Sequence, residues 1–106
     1  MPFEDYRGLL KRLRQAFPEV VADVRRVKRT EIDGAYCHGF CELDQEKQQF
    51  NIRISSELSE EIAVETLMHE WAHALSWHAG GSDHSPAWGK AYARVYRVYA
   101  AMMESI

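Results

Sequence analysis

Residues 69–73 read His69-Glu70-Trp71-Ala72-His73. Residues four apart stack on one face of an α-helix, so a helix here aims both imidazoles at one point and sets the Glu70 carboxylate beside them. That is the donor set of a zinc site with an open position for water and its own general base. A surface helix with two solvated histidines shows the same spacing. The context favours the metal: residues 58–77 contain no Gly or Pro, and Ser59 with Glu60 and Glu61 reads as an N-cap and acidic first turn.

Such a site needs a third protein ligand. A further H-x-x-G-x-x-H spacing would put glycine at 76 and histidine at 79, where the chain has Ser76 and Ala79, so that class is excluded. His78 lies about 140° around a continuing helix from His73 and would ligate only if the helix unwound. Glu104 falls at the frayed end of the last helix. His84 is better placed. Gly80-Gly81 lets the chain fold back, and Ser85-Pro86 starts a new helix that holds the imidazole at its entrance.

The elements that must position these groups can be read in order. Residues 4–17 form an amphipathic helix, with Tyr6, Leu9, Leu10, Leu13 and Phe17 on one face and Arg7, Lys11 and Arg14 on another. Pro18 ends it. The β-branched residues of 20–29 favour a strand. Gly34 marks a turn. Residues 36–43 read as a second strand with Cys37, Gly39, Cys41 and Leu43 on one face. A polar connection, Asp44 to Lys47, leads to the clearest strand, 49–55, where Phe50, Ile52 and Ile54 alternate with Asn51, Arg53 and Ser55. Residues 79–83 carry glycines and break the motif helix. The last helix buries Trp88, Ala91, Tyr92, Val95, Val98, Tyr99 and Met102, with Lys90, Arg94 and Arg97 on a separate stripe.

The 106 residues make one domain, 1–106. No apolar run approaches a membrane span and no charged-then-apolar leader is visible; the expected location is the cytoplasm and the expected state a monomer. Cys37 and Cys41 are the only cysteines. Cys37-His38-x-x-Cys41 could be half of a zinc site, but no second pair of cysteines closes it, and buried small residues on a strand are the favoured reading. The net charge of −3 is unevenly placed: residues 1–29 carry eight Lys or Arg against four acids, and residues 30–70 two against ten. A basic end can meet nucleic acid, although solvated faces of amphipathic elements give the same pattern.

Thr66-Leu67-Met68-His69-Glu70-Trp71-Ala72-His73-Ala74, followed by His84-Ser85-Pro86-Ala87-Trp88, resembles the SprT-like metallopeptidases, which include the Spartan proteases. The family pattern is H-E-x-x-H and then H-G-P-x-[F/W], and Ser85 departs from it where the family has glycine. The size is also similar to minimal gluzincin-type peptidases, whose third ligand is usually an acid. The resemblance implies an α+β, zincin-like fold: an N-terminal helix, a three-stranded antiparallel or mixed sheet, an active-site helix and a C-terminal helix. It implies zinc on His69, His73 and His84, with Glu70 as general base. The expected activity is endopeptidase cleavage of flexible or unfolded protein segments, paired with an exposed edge strand expected at 49–55. Tyr92, Tyr96, Arg94 and His78 are all conceivable stabilisers of the transition state. Two alternatives stand beside this reading: a protease acting on DNA-bound or crosslinked proteins, and a non-catalytic zinc-stabilised scaffold. No membrane partner is expected.

Overall fold

The apolar stripe of the first helix goes where its period sends it, with Leu9 and Leu13 fully buried and Tyr6 and Phe17 nearly so. In the computed structural model, which describes residues 4–80 and 84–105, this helix is α1 (Glu4–Ala16). There follow β1 (Ala22–Val27), β2 (Glu31–Ile32), β3 (Ala35–Tyr36), β4 (Gly39–Asp44), β5 (Gln49–Ser55), α2 (Glu60–Ser76), a 3₁₀ turn (Trp77–Ala79) and α3 (Pro86–Glu104). The architecture is α+β: three helices and a small mixed sheet among the described residues.

The sheet order is β1-β5-β4, with β1 parallel and β4 antiparallel to β5. This corrects the expectation that residues 49–55 form an edge. Alternation of Phe50, Ile52 and Ile54 says which face is buried, not how many partners the strand has; β5 is paired along both sides and lies in the middle. The free edges belong to β1 and β4. One face of β5 packs beneath α2. On the other face Arg53 donates to the Asp23 carbonyl at 2.7 Å and to its carboxylate at 3.4 Å.

The strand expected over 36–43 is split. Asp33 and Gly34 both have positive φ, 52° and 80°, the requirement of a tight two-residue hairpin turn, and β2 and β3 pair across it. Cys37 N–H donates to the Thr30 carbonyl, and the Thr30 hydroxyl donates to the Cys37 carbonyl. The ribbon is pinched off there and β4 starts afresh at Gly39.

Helix α2 begins as expected, with the Ser59 hydroxyl accepting from Ile62 N–H at 3.4 Å. It packs against the sheet and both other helices, so Ala63, Leu67, Trp71 and Ala72 are fully buried. Gly80, in the left-handed region at φ 87°, ends the 3₁₀ turn. The rest of the glycine-bearing loop, residues 81–83, lies outside the described residues.

Gly39 fixes how closely β4 approaches α2. A Cβ at this position would stand 2.7 Å from the Arg53 carbonyl oxygen and 2.9 Å from Thr66 Cγ2 on α2, and the backbone contact has no soft partner to yield. Gly39→Ala is therefore expected to destabilise the fold by about 1–3 kcal/mol, the usual cost of overpacking. The reading would be a lower urea midpoint at unchanged m; an unchanged midpoint would mean that β4 can move off the helix freely.

Candidate metal centre

His69 and His73 stand one turn apart on α2, with Nε2 atoms 3.3 Å apart. His84 reaches the same point from the entrance of α3, its Nε2 3.0 Å from that of His69. All three ligand atoms lie within 4.8 Å of one another. Zinc–nitrogen bonds of about 2.0–2.1 Å at tetrahedral angles separate ligand nitrogens by about 3.3 Å; the two spacings from His69 are close to this, and the three atoms together lie within 4.8 Å. As hydrogen bonds, three converging ring nitrogens would need protons between them; as ligands they need none. The donor set fits zinc.

Local structure explains why His84 arrives there. The Ser85 hydroxyl accepts from Trp88 N–H at 3.3 Å and Pro86 opens the helix, so His84 is fixed by the cap that follows it. Trp88, in the first turn of α3, donates its indole N–H to the His69 carbonyl at 3.3 Å. Its ring lies 4.8–5.6 Å from all three imidazoles. It is a wall of the site and a tie between α2 and α3.

Electrostatics favours the ligating state. Burial, and then the neighbouring His73 and His84, lower the His69 pKa to about 4, so this imidazole stays neutral at neutral pH. Glu70 is 7 % exposed, and burial pushes its carboxyl up to about 7. Cys41, on the inward face of β4, has its thiol pKa raised by burial and by the charges of Glu70 and Glu42. It remains a thiol behind the site, and neither cysteine joins the histidine group.

A cleft runs between α2 and the start of β4, lined by His38, Gly39, Ile62, Glu65, Thr66, His69 and Glu70. The structure thus brings together His69, His73, His84 and Glu70. It leaves His78 exposed on the 3₁₀ turn and Glu104 exposed at the end of α3. Tyr92 stacks on Trp88 at 5.2 Å, and Arg94 lies over the Phe17 ring at 5.1 Å; neither Tyr92, Tyr96, Arg94 nor His78 lines the cleft. His38 does. Sequence reasoning weighed it only beside the cysteines, because nothing local says that β4 borders the motif helix.

The fold and site define a small α+β domain whose H-E-x-x-H helix is joined by a histidine just before the next helix. The chain belongs to the SprT-like family, whose model matches residues 5–105. No curated protein and no solved structure gives a significant match. Family membership and the three-histidine cluster together fit a zinc-dependent, protease-like domain.

Proposed function

We propose that the protein is a zinc endopeptidase acting on flexible or unfolded polypeptide, held at His69, His73 and His84 around one zinc ion. The observation that carries this is the convergence of three histidine ring nitrogens, 3.0 and 3.3 Å from His69 and all within 4.8 Å of one another, beside a buried carboxyl in an open cleft. Bound there, zinc supplies Lewis acidity toward water and a peptide carbonyl. The chain's own residues do the rest. Glu70 takes the proton of the attacking water on a carboxylate oxygen and hands it to the leaving nitrogen.

The substrate strand belongs on β4. The His38 carbonyl accepts from Ser55 N–H, so by antiparallel alternation the backbone groups of Gly39 and Cys41 point away from β5 and are open to a further strand. Only an extended segment can add there, which selects flexible chains. Of the polar side chains in the cleft, Glu65 has only acceptors when ionised, and Thr66 donates its hydroxyl to the Ile62 carbonyl at 2.7 Å. His69 is a ligand and Glu70 the base. His38 is left as the side chain able to donate to the developing oxyanion. His38→Ala is expected to lower kcat about 10²-fold with KM and zinc content unchanged; unchanged kcat would remove it from the mechanism.

The test of the whole reading is hydrolysis of an unfolded protein by zinc-loaded enzyme, lost on chelation and restored by zinc. Absence of cleavage under loaded conditions would overturn it.

A further inference from the structure

A second cavity, of about 440 Å³, opens between α2, α3 and the start of α1, within the size range of ligand pockets. Tyr92, Tyr96 and Tyr99 form one wall and Asp5, Glu61 and Glu65 the other. Met68, nearly buried, lies at its base. Acidic groups on a surface need no ligand, but these ring a cavity faced with aromatic rings. The cavity also adjoins the catalytic cleft: Ile62 and Glu65 line both, and Tyr92 stacks on the Trp88 wall of the metal centre.

None of these carboxylates is in an ion pair among the described residues. Glu60, which also lines the cavity, accepts the Asp5 backbone N–H at 2.9 Å. Unneutralised carboxylates facing tyrosine rings suit a long side chain with an apolar stem and a cationic head. The stem lies along Met68 and the rings, and the head meets carboxylate oxygens and aromatic faces. Tyr96 is 50 % exposed and Ile62 39 % exposed, so the approach is open.

We infer that this cavity is a subsite for a lysine or arginine side chain of the polypeptide lying in the cleft. The inference rests on the peptidase reading for what the cleft holds, but the cavity's charge and shape are independent of catalysis. A basic residue a few positions from the scissile bond would anchor the chain while β4 pairs with the segment crossing the zinc site. A neutral or acidic residue there would leave the carboxylates without a partner, or repel them.

The test uses zinc-loaded protein and two fluorescent unfolded peptides of equal length, one with dispersed lysines and one with glutamines in their place. Anisotropy is expected to show the lysine peptide binding at least about tenfold tighter, with the preference weakening as salt rises. Glu61→Gln with Glu65→Gln should reduce the preference to about twofold or less. Tyr96→Leu should weaken lysine-peptide binding severalfold without changing glutamine-peptide binding. Equal affinity for both peptides, or a preference untouched by the glutamate changes, would overturn the inference. Cleavage of both peptides is followed in parallel. Cleavage without lysine preference in binding leaves the peptidase reading and removes the subsite; lysine preference without cleavage keeps the subsite and removes the peptidase reading.

Discussion

Glu70→Gln will leave the protein folded and zinc-loaded while lowering turnover by about 10²–10⁴-fold, the contribution of a positioned general base. The glutamine keeps the shape of the side chain and cannot take a proton from water at neutral pH. The same substitution has a second effect in the metal-free protein, and its sign follows from burial. The Glu70 carboxyl is raised from 4.5 to about 7, so its uncharged form fits the fold better than its charged form. The stability linked to it is fully present below about 4.5 and is lost as pH rises through about 7. Above that, wild type carries a buried charge that costs on the order of 3 kcal/mol, and Gln does not. His69 runs the opposite way: with its pKa lowered to about 4, its linked stability is present above 6.5 and is lost as pH falls through about 4. The two overlap between 4.5 and 6.5, so the wild-type profile alone separates neither. The difference between Glu70→Gln and wild type isolates Glu70. Urea denaturation of chelated protein should show that difference growing from pH 5 to pH 8 in favour of Gln. A flat difference would mean that the carboxyl is not buried as described, and wild-type turnover in the variant would remove Glu70 as base.

What the sequence made legible was the local part of the site. His69 and His73 face one point because helix geometry alone puts them there, and the Ser59 and Ser85-Pro86 caps are written within three residues of the groups they satisfy. His84 was reachable by the same reasoning, since a capped helix start fixes the residue just before it. Non-local facts were not legible. The alternation of Phe50, Ile52 and Ile54 is the same for a central strand as for an edge, and only pairing with both β1 and β4 decides between them. His38 acquires meaning only because β4 starts beside α2, and Gly39 only because Arg53 and Thr66 crowd its Cα. The Asp33-Gly34 hairpin differs from these. Its dipeptide is a local signal, but the strands that flank it are two residues each, too short to show a period.

The third ligand can be assigned by contrast between two neighbouring histidines. His84→Ala is expected to weaken zinc binding by more than about 100-fold, beyond what loss of an outer-shell partner costs, while His78→Ala leaves it unchanged. The two residues are close in sequence and both exposed, so neither change removes core packing, and the chelated forms of both variants should melt with wild type. Any divergence must then come from the metal. Excess zinc stabilises a protein by an amount set by its affinity, so wild type and His78→Ala should gain Tm equally on zinc addition and His84→Ala should gain little. Chelator competition gives the same ranking without heating. If His78→Ala loses zinc instead, the helix must unwind past Ser76 to bring that imidazole round, and the Nε2 spacing of 3.0 Å between His84 and His69 would not be a ligand contact. Loss in both variants would mean that residues after His73 hold the ion as a group, and the open position required for water would be gone.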